Sequence, residues 1–63
     1  MFVVQHRKTG KYHGYCSTVG DDIWLDDVNN RMVEKYNTIK SVKNDMNWVP
    51  WHKWFTDYKI VEI

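Results

Sequence analysis

The 63-residue sequence contains no alanine and only one leucine, Leu25. Helical bundles normally use both residues heavily, because both are strong helix formers. Valine and isoleucine supply nearly all of the aliphatic side chains instead, and these β-branched residues favour strands. The composition therefore argues against a helical bundle and predicts a fold that contains a β-sheet.

Long apolar runs are absent as well. The longest segment without Asp, Glu, Lys or Arg is Tyr12–Gly20, which is mostly polar, whereas a membrane-spanning helix needs about 20 apolar residues. Three apolar residues follow Met1 and then charge appears at Arg7 and Lys8, which is unlike a signal peptide. The single cysteine, Cys16, cannot form an intrachain disulfide and is typical of a reducing compartment. We therefore expect a cytoplasmic protein that does not associate with membranes.

The size of the chain limits the function classes. A mass of 7.7 kDa suffices for one small domain, residues 1–63, and chains of this size bury only about 60% of their unfolded surface. The formal net charge is only +1, whereas nucleic-acid-binding domains are usually clearly basic. We therefore expect a non-enzymatic protein without a cofactor, and binding rather than catalysis.

The charges nevertheless form blocks along the chain. Residues 1–20 hold three cations and no acid, residues 21–34 are mainly acidic, and residues 35–53 are mainly basic. A sum near zero therefore hides local faces of either sign that a partner could recognise.

The ends of the chain have strand patterns. Phe2–His6 and Tyr12–Cys16 are rich in β-branched and aromatic residues, and the turn between them contains Gly10, which tolerates positive φ. These segments predict an N-terminal hairpin, within which Gly14 marks a bulge or a close approach of another backbone. Tyr58–Ile63 predicts a closing strand.

The middle of the chain is less regular. Within residues 26–36, a four-residue recurrence of apolar side chains fits a helix, but Asn29-Asn30 favours a turn followed by a strand over Arg31–Tyr36. A helix over residues 38–47 is predicted next, with Asn37 as its N-cap and an apolar stripe of Ile39, Val42 and Met46. Pro50 ends it and is a suitable first residue of a single turn through Phe55.

Together these segments predict a small α+β domain. We expect an antiparallel sheet of three to four strands, packed with one short helix on one face. The other face needs a cover, and the tryptophan-rich segment, residues 48–55, is available for it.

Four side chains are candidate metal ligands or catalytic groups: His6, His13, Cys16 and His52. A tetrahedral zinc site of the common type needs two close pairs, and only His13 and Cys16 are close in sequence. Their odd separation places them on opposite faces of a regular strand. As a nucleophile–base pair they lack an obvious third orienting group and an oxyanion-binding helix N-terminus. The acidic residues Asp21, Asp22, Asp26 and Asp27 lack the alternating spacing of a calcium loop. We therefore predict no metal site and no catalytic residue.

The tryptophan-rich segment is the most informative part of the sequence. Trp48, Trp51 and Phe55 are core candidates, whereas Trp54 beside Lys53 is predicted to be exposed. Exposed tryptophans are typical of protein-binding surfaces. The predicted partner-binding residues are four residues of this segment and two residues of the acidic block: Trp51, His52, Lys53, Trp54, Asp26 and Asp27.

An alternative interpretation is a small protein that binds single-stranded nucleic acid. Aromatic rings stack on unpaired bases while lysine and arginine hold phosphates. The hairpin offers such a face, which Lys53 and Trp54 would extend: Arg7, Lys8, Lys11, Tyr12 and Tyr15. Under either interpretation, an exposed edge strand and spare aromatic rings would also allow a homo-oligomer.

The chain begins with the apolar strand Phe2-Val3-Val4, continues through a Thr9-Gly10-Lys11 turn and a tyrosine-rich strand, and ends in Tyr58–Ile63. With its abundant Asp, Asn, Lys and aromatic residues, it resembles the short accessory proteins encoded by tailed bacteriophages. The resemblance implies a cytoplasmic protein made during infection and no particular activity. Our first hypothesis is therefore a phage-type accessory protein that binds and modulates or inhibits a host protein.

Overall fold

Four five-residue segments form an antiparallel sheet in the computed structural model, which describes residues 1–63. The strands are β1 (Phe2–His6), β2 (Tyr12–Cys16), β3 (Asp21–Leu25) and β4 (Tyr58–Glu62). Their order in space is β3-β2-β1-β4. Two short helices, α1 (Ile39–Asp45) and α2 (Lys53–Thr56), lie between β3 and β4 in the chain. The predicted α+β class is confirmed, with one helix more than expected.

The predicted N-terminal hairpin and closing strand are both present. Gly10 takes a φ of 74° in the turn between β1 and β2, and β4 pairs with β1 along its whole length, from Phe2 opposite Glu62 to His6 opposite Tyr58. The terminal strand is therefore an integral part of the sheet. No helix has the length and hydropathy that crossing a membrane requires.

A segment that we call the wedge, residues 32–36, lies between β1 and β2. These strands pair with each other at Gln5 and Tyr12, close to the turn. Beyond that point the wedge bonds to both: Tyr15 N–H donates to Met32 O at 3.1 Å, and Phe2 and Tyr36 exchange backbone hydrogen bonds of 2.7 and 2.8 Å. The wedge thus closes the gap where the hairpin strands separate.

The predicted turn at Asn29-Asn30 is present, but the predicted strand over Arg31–Tyr36 does not form, because residues 31–32 belong to the turn and only residues 33–36 are extended. Side-chain oxygens of Asp27 and Asn30 accept backbone N–H groups two residues ahead, which stabilises turns and stops a helix. The extended part makes only isolated bridges, at Val33 and Tyr36. A further strand of the sheet is β3, a segment for which no strand was predicted.

Gly14 is the position where the wedge comes closest to β2. A Cβ atom at Gly14 would overlap the carbonyl oxygen of Met32 and lie 2.8 Å from Leu25 Cδ1. Real Cβ atoms do not approach backbone so closely. The predicted close approach of another backbone at Gly14 is therefore confirmed.

The main core lies on the sheet face that carries the helices. Its buried members are Val4, Tyr36, Val42, Met46 and Val49, with Phe2, Trp24, Trp54, Tyr58 and Ile60 packed against them. The tryptophan-rich segment joins this same core through Val49 and Trp54, so the prediction that it covers the other face was wrong. The connection from α1 is too short to carry it around the sheet. Val3 and Val33 are buried outside this cluster, on the opposite face.

Helix α1 is shorter than predicted and begins one residue later. Thr38, not Asn37, is the N-cap: its backbone is extended, and its Oγ1 accepts from Ser41 N–H at 3.0 Å. Val42 and Met46 are buried as the stripe predicts, but Ile39 remains 46% exposed. The apolar contact of α1 therefore comes from its C-terminal half.

We predict that Gly14→Ala destabilises the fold strongly, because the new methyl group meets backbone that cannot move without breaking the wedge. Overpacking of this kind costs about 3 kcal/mol. Urea unfolding of the variant measures the loss of unfolding free energy.

Gly20→Asn is the control for this prediction. Gly20 has a positive φ of 69°, but no atom lies within 4 Å of the place that a Cβ would take, and asparagine tolerates that conformation. Its unfolding free energy should stay within about 1 kcal/mol of the parent. A Gly14→Ala protein as stable as Gly20→Asn would contradict the close approach.

Candidate functional site

A row of aromatic rings crosses the helix-bearing face of the sheet. Trp24 from β3 and Tyr58 from β4 stack with centroids 5.5 Å apart and planes 8° from parallel. The His6 ring meets both edge-on, at 5.6 and 5.3 Å. Rings from the two edge strands thus meet above β1. Trp54 packs against this row.

Trp54 extends this row, and the prediction that it is exposed was wrong. Its ring lies 5.9 Å from that of Tyr58, and it packs against the core. Residues four apart share one side of a helical turn, so Trp51 and Phe55 point together to the other side. Trp54 faces inward because α2 lies directly beside β4.

Trp51 and Phe55 form an exposed patch that we call the aromatic surface. Trp51 is 74% exposed and Phe55 is 69% exposed, and their rings meet edge-to-face at 5.5 Å. They line an open cavity of about 320 Å³ together with Lys43, Asn47 and Trp54. The expectation that Trp51 and Phe55 fill the core is thus wrong, because Val49 and Trp54 already occupy that space.

The predicted partner-binding residues fall into two separate groups. His52 and Lys53 are exposed beside the aromatic surface. Asp26 instead lies 3.9 Å from Lys11 Nζ, and Asp27 Oδ1 accepts the Asn29 N–H in a turn. No hydrogen bond or ion pair links these two acids to residues 48–55.

The residues of the predicted nucleic-acid face are also divided. Tyr12 and Tyr15 lie on opposite faces of the sheet because their separation along β2 is odd. Lys11 pairs with Asp26, while Lys8 is exposed at the tip of the turn. Arg7 lies away from these residues, beside Asp57 and Tyr58.

Arg7 is the one hairpin cation that reaches the side of α2. Its Nε donates to Tyr58 O at 2.9 Å, and its N–H donates to Asp57 O at 2.8 Å. The Asp57 carboxylate also holds Lys53 Nζ at 3.0 Å. The hydrogen bond from Lys53 lowers the pKa of Asp57, and the same contact raises the pKa of Lys53.

A second cavity, which we call the acidic cavity, opens beside the C-terminal end of α1. Its volume is about 380 Å³, and it is lined by His13, Tyr15, Asp22, Glu34, Asp45, Met46 and Trp48. The His13 side chain is only 3% exposed, and its Nε2 atom lies 2.8 Å from Asp22 Oδ1. Its Nδ1 atom is buried without a hydrogen-bond partner.

The carboxylates of the acidic cavity act together on a neighbouring tyrosine. Tyr36 OH donates to Asp45 Oδ2 at 2.6 Å. Burial raises the pKa of Tyr36, and the hydrogen bond to Asp45 and the charges of Asp45, Glu34 and Asp22 raise it further. The charges of these three carboxylates therefore act on the same hydroxyl group.

This cavity was not predicted from the sequence. Asp22 was considered only as a calcium ligand and Trp48 was a core candidate, while Glu34 and Asp45 had no predicted role. These residues come from β3, the wedge, α1 and the segment after it, so no spacing in the sequence connects them. The wedge, which brings Glu34 beside β2, is the contact that assembles them.

The candidate metal ligands are dispersed in the structure. No three His, Cys, Asp or Glu side chains are close enough to hold a metal ion. His6 belongs to the aromatic row, and His52 is exposed on the turn before α2. His13 is hydrogen-bonded to Asp22. Cys16 projects from the face of β2 opposite to His13, so these two do not form a nucleophile–base pair.

Comparisons of the chain with protein-family models, with curated proteins and with solved structures found no match. The structure itself defines a small α+β domain with two adjacent surface features. Asn47 lines the open cavity beside the aromatic surface, and its chain neighbours Met46 and Trp48 line the acidic cavity.

We predict that Tyr36→Phe changes how stability depends on pH. The folded state holds the Tyr36 proton more tightly than the unfolded chain, so this contribution to stability is lost as the pH rises above about 10, the ordinary tyrosine pKa. At pH 7 the variant should be less stable by about 1 kcal/mol, through loss of the bond to Asp45. Urea unfolding at pH 7, 9, 10 and 11 should show this difference shrinking. A difference that stays constant would contradict the raised pKa.

We predict that the Cys16 thiol ionises more readily in the folded protein than in the unfolded chain. Hydrogen bonds from the backbone N–H groups of Val19 and Thr18 lower the pKa of Cys16. The rate of alkylation by iodoacetamide, which follows the thiolate, should reach half its maximum at a lower pH in buffer than in 8 M urea. Equal midpoints in the two solvents would show that the backbone N–H groups of Val19 and Thr18 do not lower the pKa of the thiol.

Proposed function

We propose that this protein is a non-enzymatic binding module for another protein, and that it binds through the aromatic surface. One observation carries the proposal: Trp51 and Phe55 are 74% and 69% exposed although the core beneath them is complete. Exposed apolar rings that form a contiguous patch are typical of interaction sites, whereas apolar residues elsewhere on a protein surface are usually scattered singly.

The aromatic surface is suited to tight binding. Burying an apolar side chain of this size contributes about 1.5–3 kcal/mol, and tryptophan is enriched among the residues that dominate binding energy. The edge-to-face contact at 5.5 Å and the backbone hydrogen bonds of the turn into α2, such as Trp54 N–H to Trp51 O at 3.1 Å, hold the rings in place. Little conformational entropy would be lost on binding.

The surrounding charges favour a protein over single-stranded nucleic acid. Lys43 is the only charged residue that lines the cavity beside Trp51 and Phe55. The Lys53 ammonium is paired with Asp57. The carboxylates of the neighbouring acidic cavity would repel phosphates.

The resemblance to tailed-phage accessory proteins extends the proposal to the class of partner. Under it, the partner is a host protein that this chain modulates or inhibits in the cytoplasm. A small surface presented by a small domain is sufficient for such a role, because a few hot-spot residues supply most of the binding energy.

We predict that Trp51→Ala/Phe55→Ala abolishes capture of the protein partner. Tagged parent and variant are incubated with bacterial lysate treated with nuclease, and the bound proteins are quantified by mass spectrometry. A specific partner should fall at least tenfold in the variant, because two hot-spot rings contribute more than the 1.4 kcal/mol that a factor of ten requires.

Val19→Ala/Ile63→Ala is the matched control. It removes two exposed apolar side chains (69% and 51% exposed) that lie outside the aromatic surface, so capture should equal that of the parent. Urea unfolding should show both variants folded, since neither touches the core. Equal capture by all three proteins would contradict the proposal. A parallel incubation with untreated lysate that recovers nucleic acid alone would also contradict it. So would size-exclusion chromatography of the purified proteins that shows a dimer which only the aromatic variant loses.

A further inference from the structure

The acidic cavity contains negative charge that the chain itself does not neutralise. Glu34 and Asp45 form no ion pair, and Asp22 has only His13 as a partner. The three carboxylates are close enough to raise the pKa of Tyr36 together. A cation that enters the cavity would relieve this repulsion.

An aromatic wall stands beside these carboxylates. Trp48 is 52% exposed and Tyr15 is 45% exposed, and the Trp48 ring lies 6.4 Å from that of His13, tilted by 54°. The face of tryptophan attracts cations more strongly than that of any other side chain. A cavity that combines tryptophan with carboxylates therefore favours a cation over a neutral ligand.

The His13 ring adds an unpartnered polar atom to the residues that line the cavity. Its side chain is 3% exposed and lines the cavity, with Nε2 held by Asp22 at 2.8 Å. In the tautomer whose Nε2–H donates a hydrogen bond to Asp22, Nδ1 carries no proton and is a hydrogen-bond acceptor without a donor. Buried polar atoms are nearly always hydrogen-bonded, so the unpartnered Nδ1 shows that the chain alone does not satisfy the polar groups on this side of the cavity.

The geometry points to an organic cation rather than a metal ion. No three potential ligands are close enough to hold a metal, whereas a planar guanidinium can stack on a ring and donate to several carboxylates at once. We propose that the acidic cavity binds one arginine side chain of the protein partner. This inference rests on the proposed function, because it specifies what the partner presents next to the aromatic surface.

We predict that the full chain binds Nα-acetyl-arginine amide at the acidic cavity. The probe is titrated into ¹⁵N-labelled protein, and the indole N–H signal of Trp48, assigned with Trp48→Phe, is followed by NMR. The signal should shift saturably with a Kd in the millimolar range. Nα-acetyl-citrulline amide has nearly the same shape without the charge, and it should cause no saturable shift.

The carboxylates are tested with a pair of variants of equal charge. Glu34→Gln/Asp45→Asn should weaken probe binding at least tenfold, and an amide at position 45 can still accept from Tyr36 OH. Asp27→Asn/Glu62→Gln removes two carboxylates outside the cavity and should bind like the parent. Urea unfolding shows whether each variant is folded. Absence of a saturable arginine shift, equal binding of citrulline, or equal weakening by both variants would overturn the inference.

The two proposals fail in different ways. Trp51→Ala/Phe55→Ala should bind the arginine probe like the parent, because neither residue lines the acidic cavity. Probe binding without capture of any protein would contradict the proposed function alone. Capture that depends on the aromatic surface, with no binding of the probe, would contradict the arginine site alone.

Discussion

The insertion of the wedge between β1 and β2 is the contact on which the rest of the structure depends. It requires a residue without a side chain at position 14, because the carbonyl of Met32 occupies the place of a Cβ atom. The wedge then carries Tyr36 into the core and places Glu34 beside His13, whose carbonyl accepts the Glu34 N–H at 3.1 Å. Both the helix-bearing core and the acidic cavity follow from this placement.

The limited volume above the sheet explains why aromatic rings remain outside. The row of rings from Trp24 to Tyr58 and the side chains of Val42, Met46, Val49 and Trp54 already fill the helix-bearing face. In a domain this small, a second layer cannot form above them. The remaining aromatic rings therefore lie at the surface: Trp48, Trp51 and Phe55. The chain passes directly from the acidic cavity at Trp48 to the aromatic surface at Trp51 and Phe55.

Local patterns predicted the parts of the fold that depend on near neighbours. The hairpin with Gly10 at positive φ, the strand β4 and the turn at Asn29-Asn30 were all readable from residue type, and Gly14 was readable as either a bulge or a close approach. The wedge was not, because its pairing with both β1 and β2 depends on contacts distant in sequence. Trp54 was misplaced for the same reason: its neighbour Lys53 suggested exposure, whereas Tyr58 on β4 decides its position.

The four tryptophans are divided between core and surface in the single chain. Paramagnetic relaxation of the indole N–H signals by a soluble gadolinium chelate, measured at a dilution where the chain is monomeric, tests this division directly. We expect the largest enhancement for Trp51, a smaller one for Trp48, and the smallest for Trp24 and Trp54. Protection of Trp51 equal to that of Trp24 would contradict it, since no exposed aromatic surface would then be available to a partner.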